Sequence, residues 1–172
     1  MSHDLSTITL RPFRSDEWEA IRTIRLEALK SDEGVFLPSY AEGLAMPESY
    51  WRDLAAQVNS CLFGLYDADR LIGLTSVFTD RDDPSGNTAK LAMSYINRAY
   101  RGRKLSHLYY EARIAWARAH GFERIVVGHR EGNEASRRAN QAFGFRHFES
   151  EEITFGGVRA LDHRYELFLK DT

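Results

Sequence analysis

The chain has little of what would tie it to a membrane, a disulfide framework or a metal. Its 172 residues include one cysteine, Cys61, which excludes a disulfide within the chain, and no cysteine and histidine spacing predicts a metal site. No apolar run approaches the ~20 residues that a membrane-spanning helix needs. Residues 1–10 lack the charged and then apolar order of a secretory signal. We therefore expect a cytoplasmic protein with no membrane partner.

A strong net charge is also missing, although the charges are distributed unevenly. The formal net charge is −2 and the isoelectric point is about 6.3. Residues 97–146 hold eleven basic and four acidic side chains, whereas residues 1–96 hold nine basic and fifteen acidic ones. Such asymmetry steers an anionic ligand to one half of a protein, although a solvated arginine-rich surface gives the same count. The basic residues are not clustered with aromatic ones, which argues against a nucleic-acid partner.

The predicted elements alternate between strands and helices through one domain that spans residues 1–172. With 43% hydrophobic residues, the chain can bury a full core without division. Apolar periodicity predicts the order β, α, α, β, β, β, α, β, α, β, β. The predicted strands are residues 7–13, 61–66, 71–78, 88–96, 124–128, 148–155 and 161–169, with the last two joined around Gly156 and Gly157. The predicted helices are residues 15–30, a segment from Pro47, 103–120 and 133–144. The stretch 31–46 is predicted to be a loop or short turns, free to shape a pocket.

The segment from Tyr100 to Ser106 predicts a turn between a strand and a long helix. The start of a helix offers unpaired backbone N–H groups and the positive end of the helix dipole. A phosphate is stabilised at such a place without a dedicated side chain. Taken alone, the segment would be interpreted as an ordinary helix start with exposed basic residues.

A second polar segment follows about thirty residues later. Asn133, Ser136 and Asn140 lie on one stripe of a predicted short helix that closes at Gly144 and Phe145. The alternatives are a plain helix cap for Asn133 and a solvated helix position for Asn140. Together with the first segment, this stripe suggests a coenzyme A site.

In their order and spacing, these motifs resemble the GNAT superfamily of acyl-CoA-dependent N-acyltransferases over most of the chain. Residues 26–29, Phe36, residues 39–40 and Trp51 are similar to a bacterial branch of that superfamily. The resemblance implies an α/β (α+β) fold with a mixed, mostly antiparallel central sheet, flanking helices, and splayed strands four and five. It also implies an acyltransferase that moves an acetyl group from acetyl-CoA, its co-substrate, to a primary amine of a small molecule.

The resemblance implies cofactor contacts residue by residue. The pyrophosphate loop of the family, Arg/Gln-x-x-Gly-x-Gly/Ala, falls on Arg101, Gly102, Arg103, Lys104, Leu105 and Ser106. Lys104 departs from the family's glycine, whose missing Cβ lets a backbone amide approach the phosphate, so we expect weaker or reshaped binding. The backbone N–H of Ile96 is expected to polarise the thioester carbonyl. Asn133 and Ser136 are expected to accompany the pantetheine arm.

The groups that move protons are less clearly marked. Asn140 stands where the family often has a tyrosine that protonates the leaving thiolate, and an amide has no titrating proton to supply. The fourth strand, 88–97, contains no carboxylate that would act as a base. We therefore assign His129, just past the fifth strand, as the candidate base, with a structural role or a water relay as alternatives. Glu33 and Glu42 are candidates for binding a cationic amine, or are solvated.

Two other functions stay open from the sequence. A protein N-terminus or a lysine is the alternative acceptor. A CoA-binding module without catalysis is suggested by the departures at Lys104 and Asn140. The oligomeric state is open as well, with a homodimer as one candidate.

Overall fold

The computed structural model describes residues 4–155 and 157–169. The strands there are β1 (Ile8–Pro12), β2 (Ser60–Asp67), β3 (Arg70–Thr79), β4 (Thr88–Ile96), β5 (Arg124–Arg130), β6 (Arg146–Phe155) and β7 (Val158–Phe168). The helices are α1 (Trp18–Ser31), α2 (Tyr40–Ala45), α3 (Glu48–Ala56), α4 (Ser106–Ala119) and α5 (Glu134–Ala142), with short 3-10 turns at Leu5–Thr7 and Arg98–Tyr100. The predicted order of elements is confirmed, with α2 added.

The seven strands form one sheet in the order β1-β2-β3-β4-β5-β7-β6. Neighbouring strands are antiparallel except β4 and β5, which are parallel. The β4–β5 pairing ends at Leu91 and Val127, although β4 continues to Ile96 and β5 to Arg130. A gap therefore opens between the C-terminal halves of these two strands. The mixed sheet with splayed strands four and five is confirmed.

A backbone irregularity in β4 accompanies this divergence. The register between β3 and β4 shifts between Leu74 and Ser76, and Met93 on β4 has a φ of 56°. An irregularity of this kind bends a strand and increases its twist. The bend carries the end of β4 away from β5, so the gap is a consequence of the strand's own geometry.

Helices cover both faces of the sheet. Ile21 of α1 and Trp51 of α3 are buried against one face together with Leu62 of β2. On the other face, Tyr109 of α4 packs with Leu65 of the same strand. The two leucines point to opposite faces because side chains alternate along a strand. Full burial of each such side chain contributes about 2 kcal/mol, so the two layers anchor α1 and α4 on either side of the β4–β5 gap.

The start of α4 differs from the prediction. The sequence places it at residue 103, whereas the helix begins at Ser106. Gly102 and Lys104 have φ values of 78° and 59°, in the left-handed region, and this conformation is incompatible with a right-handed helix. Residues 101–105 therefore form a separate turn, and the helix N-terminus lies three residues later than expected.

The stretch 31–46 was predicted to be a loop or short turns, and this is wrong for its second half, which contains the helix α2. That helix begins with a capping box: the hydroxyl of Ser39 accepts from the N–H of Glu42, and the Glu42 carboxylate accepts from the N–H of Ser39. Two backbone donors are thereby satisfied at the helix start, which stabilises even a six-residue helix. Gly156, in the predicted last turn, lies outside the described residues.

Candidate active site

The turn between β4 and α4 is held in place by side chains at its edge. Asn97 Oδ1 accepts a hydrogen bond from the N–H of Ala99 (3.0 Å). Arg101 donates through Nε to the carbonyl of Ile96 (2.7 Å), and its guanidinium lies 2.8 Å from the carboxylate of Asp32. Arg101 therefore ties the turn to the end of β4 and to α1. An anion at this turn is met by the N-terminus of the 14-residue helix α4.

A cavity of about 310 Å³, which we call the donor cavity, lies beside the turn and extends between β4, α4 and α5. The wall of the donor cavity includes seven of the residues assigned to the cofactor: Ile96, Arg101, Gly102, Lys104, Leu105, Ser106 and Ser136. The cavity continues along α4 as far as Arg113. The structure thus brings the two polar segments of the sequence to one elongated space, although about thirty residues separate them.

Three of the residues assigned to the cofactor, Arg103, Asn133 and Asn140, are outside the described wall of the donor cavity. Arg103 donates to a backbone carbonyl of the preceding turn (3.0 Å) and lies over the ring of Tyr100. Asn133 is the N-cap of α5, and its Oδ1 accepts from the N–H of Ser136 (3.2 Å). The cap interpretation of Asn133 is therefore confirmed, and its contact with a pantetheine arm stays a prediction.

Asn140 is fully buried, so the interpretation of this residue as a solvated helix position is wrong. Its Oδ1 accepts a hydrogen bond from the phenol of Tyr110 (2.6 Å), and its Nδ2 has no partner among the described residues. Tyr110 lines the donor cavity and stacks on Phe143 at 4.6 Å. Asn140 therefore acts on the cavity through Tyr110, which it holds against α5.

The backbone of Ile96 has the orientation expected of a carbonyl-polarising group. The N–H of Asn97 donates to the carbonyl of Ile72 on β3 (2.8 Å). Backbone amides alternate sides along a strand, so the N–H of Ile96 points to the opposite edge, towards the β4–β5 gap. A thioester carbonyl in that gap would meet this donor.

His129 lies inside β5 rather than just past it, and it is 7% exposed. Its Nδ1 is 3.0 Å from the carbonyl of Arg130, and its Nε2 is buried without a hydrogen-bond partner among the residues that the structure describes. The rings of His163 and Tyr165 lie 5.4 and 5.3 Å away. His129 is not among the described residues that line the donor cavity, so the structure does not bring it to the predicted reaction centre, and its role as a base stays a prediction.

Sequence reasoning missed Arg113, which lines the donor cavity and is 1% exposed. Its guanidinium donates to Ser94 Oγ of β4 (2.8 Å) and to the carbonyl of Tyr109 (3.1 Å). Burial lowers the pKa of Arg113 to about 10, so the side chain remains charged at neutral pH. One signal was present: Leu105, Tyr109 and Arg113 are spaced by four residues, which places them on one helical face.

A second cavity of about 440 Å³, the loop pocket, lies beyond the end of α1. Its wall includes Glu33, Gly34, Phe36, Tyr40, Arg130 and Phe155. Asp32 lines the donor cavity and the next residue, Glu33, lines the loop pocket, so one short segment separates the two spaces. Arg130 donates to the carbonyl of Gly34 (2.5 Å) and thereby closes this segment against β5.

Glu33 and Glu42, which the sequence treats as equal candidates, have different surroundings. Glu33 is exposed and lies in the wall of the loop pocket. The Glu42 carboxylate is held by the capping box, and hydrogen bonding from the backbone N–H of Ser39 lowers its pKa. Glu33 is therefore the carboxylate that remains available for an amine.

Other potential sites are less developed. Within residues 4–155 and 157–169, no group of three or more His, Cys, Asp and Glu side chains is arranged to hold a metal ion. No helix in those ranges is both long enough and apolar enough to cross a membrane. Cys61 is buried in β2, where desolvation raises the pKa of its thiol to about 11. Cys61 is therefore a core residue rather than a candidate nucleophile, because only a thiolate is nucleophilic.

Solved structures of several bacterial proteins share this fold. An N-acetyltransferase from Staphylococcus aureus Mu50 is 22% identical, with 96% of this chain and 100% of that chain aligned and a TM-score of 0.76. YncA of Salmonella typhimurium, with its cofactor acetyl-CoA, is 18% identical over 97% and 96%, with a TM-score of 0.79. A ribosomal-protein-alanine N-acetyltransferase from Brucella melitensis is 15% identical over 94% and 99%, with a TM-score of 0.76. At these identities the similarity demonstrates a common fold.

The family assignment rests on the sequence itself. Residues 18–145, most of the chain, match the model of the acetyltransferase (GNAT) family. A search of curated proteins finds no significant match. The matched segment runs from the start of α1 to the turn after α5 and so includes the turn of residues 101–105 and the wall of the donor cavity. The resemblance seen in the sequence is confirmed: the chain belongs to the acetyltransferase (GNAT) family, and it is an acyltransferase.

Proposed function

We propose that this protein transfers an acetyl group from acetyl-CoA to a primary amine of a small molecule. The observation that carries the proposal is the pair of adjacent cavities. One extends from the turn of residues 101–105 between β4, α4 and α5, and the other lies across the segment Asp32–Gly34 from it. Such an arrangement places a donor and an acceptor side by side, which direct transfer requires.

Acetyl-CoA would bind with its pyrophosphate at the turn of residues 101–105 and at the N-terminus of α4. The cationic side chain of Lys104 lies in the cavity wall at this end. The pantetheine arm would continue along α4 and past Ser136, and the thioester carbonyl would accept from the N–H of Ile96. That donor stabilises the negative charge that develops on the carbonyl oxygen as the amine attacks.

The acceptor amine would enter from the loop pocket. The volume of this pocket, about 440 Å³, is within the range of small-molecule sites. The wall of the pocket has an aromatic part formed by Phe36, Tyr40 and Phe155. The carboxylate of Glu33 supplies the negative charge that attracts an ammonium group. The amine loses its proton to water or, as the sequence predicts, to His129. A protein N-terminus, the alternative acceptor, is favoured less because the pocket is bounded by the loop on one side and by Arg130 on the other.

We also propose that residues 1–172 form one acyltransferase domain that works in the cytoplasm. The single sheet supports the proposal of one domain, because strands from near both ends of the described chain, β1 and β7, belong to this sheet. Gel filtration with light scattering would distinguish a monomer from a homodimer.

Release of free CoA thiol from acetyl-CoA tests the function directly. The purified protein is incubated with acetyl-CoA and with amino acids, polyamines, arylalkylamines or peptides with a free N-terminus, and thiol release is followed over time. We expect turnover with at least one small amine and not with its N-acetylated form. Turnover with the peptides alone would overturn the choice of acceptor. A protein that neither binds CoA by calorimetry nor releases thiol would overturn the proposed function.

A further inference from the structure

Arg113 is an unusual residue for the interior of a sheet and helix interface. It is 1% exposed, yet its guanidinium is held by Ser94 Oγ, by the carbonyl of Tyr109 and by the face of the Tyr110 ring at 4.9 Å. Within the described ranges, the groups that favour its charged form are phenols rather than carboxylates. The protein therefore maintains a buried positive charge without supplying a negative partner from its own side chains.

A buried charge without a partner of opposite charge destabilises the fold. Removal of a cation from water costs several kcal/mol, and neutral hydrogen-bond partners recover only part of that cost. Proteins tolerate fixed charges and dipoles of this kind where charge develops during a reaction, since a preorganised group then needs no rearrangement. The position of Arg113 in the wall of the donor cavity makes a developing anion on the cofactor the natural partner.

The position along the cavity indicates which anion this is. Arg113 follows Ser106, the first residue of α4, by seven positions, which corresponds to about 10 Å along the helix axis. A cofactor with its pyrophosphate at the helix start has its sulfur towards the other end of the cavity. Ser94, which Arg113 contacts, is two residues before Ile96 on β4, so the guanidinium lies close to the level of the expected thioester.

We infer that Arg113 is a catalytic residue that stabilises the CoA thiolate as it leaves. The inference rests on the proposed function. The amine nitrogen forms a bond to the carbonyl carbon, the tetrahedral intermediate collapses, and the carbon–sulfur bond breaks with its electron pair on sulfur. The amine proton passes to water, and the thiolate takes a proton from water after release. The guanidinium of Arg113 replaces the proton donor that Asn140 cannot supply.

The remaining titratable groups of the donor cavity do not duplicate this charge. Arg101 is paired with Asp32, and Lys104 lies at the phosphate end. Burial raises the pKa of the phenols of Tyr95, Tyr109 and Tyr110, and a hydrogen bond to Asp67 raises that of Tyr100, so all four are neutral near pH 7. Arg113 is thus the cation that would act at the sulfur.

The test compares the binding of CoA with that of desulfo-CoA, which lacks the sulfur, by calorimetry between about pH 6 and pH 9. A site that prefers thiolate lowers the pKa of the bound thiol below its value in free CoA, and each unit is a tenfold change in the affinity for the thiolate relative to the thiol. In the wild-type protein, the affinity ratio of CoA to desulfo-CoA should rise about tenfold across this range. Arg113→Gln should abolish the rise, and Arg113→Lys should retain part of it.

Arg25 provides a matched control. Like Arg113, it is buried, with 6% exposure, and burial lowers its pKa to about 10. Unlike Arg113, it lies outside the described wall of the donor cavity. Arg25→Gln should reduce stability but leave the rise of the ratio with pH intact. A ratio that does not change with pH in the wild-type protein would overturn the inference, as would a rise that survives in Arg113→Gln. If Arg113→Gln does not fold, the inference is tested by the affinity ratio of CoA to desulfo-CoA in the wild-type protein and in Arg113→Lys. Binding of neither ligand would instead remove the proposed function.

Discussion

The phenol of Tyr110 on α4 donates a hydrogen bond of 2.6 Å to Oδ1 of Asn140 on α5. Both residues are buried, and Tyr110 also forms part of the donor cavity wall. The bond therefore joins the two helices between which the cofactor arm is proposed to lie. It also explains an asparagine at a position where the family often has tyrosine: the amide positions a phenol that comes from the neighbouring helix.

Loss of this phenol should reduce stability. Tyr110→Phe leaves the Oδ1 of Asn140 buried without a donor, which costs about 1–3 kcal/mol of the free energy of unfolding. The double variant Tyr110→Phe with Asn140→Leu should recover part of the loss, because both polar groups are then gone. Urea unfolding measures each value. Tyr100→Phe, which removes a less buried phenol from Asp67 (2.7 Å), is the control and should have a smaller effect. Equal effects at both tyrosines would contradict this account.

Lys104 should limit stability while it assists binding. Its φ of 59° costs a non-glycine residue about 1 kcal/mol, so Lys104→Gly should stabilise the fold by about that amount and raise Tm by about 2–4 °C. Loss of the charge should weaken CoA binding several-fold at low salt, and less at high salt, and in Lys104→Gly the missing Cβ should offset part of this loss. Lys104→Ala is the matched control, because it loses the same charge and keeps the strain. Equal stability of the two variants would show that the backbone is not strained there.

The ion pair of Glu17 with Arg11 should control stability in acid. Two hydrogen bonds from Arg11 (2.8 and 2.9 Å) lower the pKa of Glu17 to about 2, from an ordinary value of 4.5. Because the folded-state pKa is the lower one, the stabilisation is complete above about pH 4.5 and is lost as pH falls towards 2. Glu17→Gln should cost about 1 kcal/mol at pH 7, after allowance for the partly exposed Arg11, and the difference should vanish near pH 2.

Chemical denaturation at several pH values measures this difference. Asp16→Asn is the control, since the pair of Asp16 with Arg14 is longer (3.4 Å) and exposed. Its effect should be small at every pH. A difference between wild type and Glu17→Gln that stays constant from pH 7 to pH 2 would contradict the lowered pKa.

The long elements and the turn between β4 and α4 were predictable because their signals are local. Strand alternation and helix periodicity identified both strands of the β4–β5 gap, and the order of motifs identified the family. The helix α2 was missed although its capping box, Ser39 and Glu42, is legible in the sequence, because the glycine and proline content of the surrounding stretch was given more weight.

The buried polar contacts of the site were harder to predict for a physical reason. The Tyr110–Asn140 bond joins residues thirty positions apart, and Arg113 is buried although arginine is rarely buried without an acidic partner. The Tyr110–Asn140 bond has no local signature, and the local signal for Arg113 is the spacing of four residues that it shares with Leu105 and Tyr109. His129 is different: Ile125, Val127 and His129 alternate along β5, and the first two pack in the core. If the predicted strand 124–128 is extended by two residues to Arg130, the same alternation predicts that His129 faces inwards.

Glu33 should bind the acceptor amine. Glu33→Gln removes the negative charge from the loop pocket, so KM for a cationic amine should rise about tenfold, with little change in KM for acetyl-CoA. Steady-state kinetics with varied amine measures the effect. Glu42→Gln is the control: it weakens the capping box of α2 and should lower Tm but not change KM selectively. If the two variants shift the amine KM equally, the effect comes from the loop as a whole and not from the charge of Glu33.

Replacement of His129 distinguishes its two possible roles, a catalytic base and a structural residue of β5. A positioned base contributes about 10²-fold or more, so a catalytic His129 requires that His129→Gln lower kcat/KM by that factor and remove the acidic limb of the pH profile. The Nε2 is buried, and His129 is not among the described residues that line the donor cavity. We therefore expect the other result, a lower Tm with kcat/KM within about threefold of wild type and an unchanged pH profile. Neutral amine would then be generated by water, and kcat/KM would rise with pH to a plateau. A hundredfold loss of rate in a variant of wild-type stability would instead establish His129 as the base and imply that the ring turns towards the gap when substrates bind.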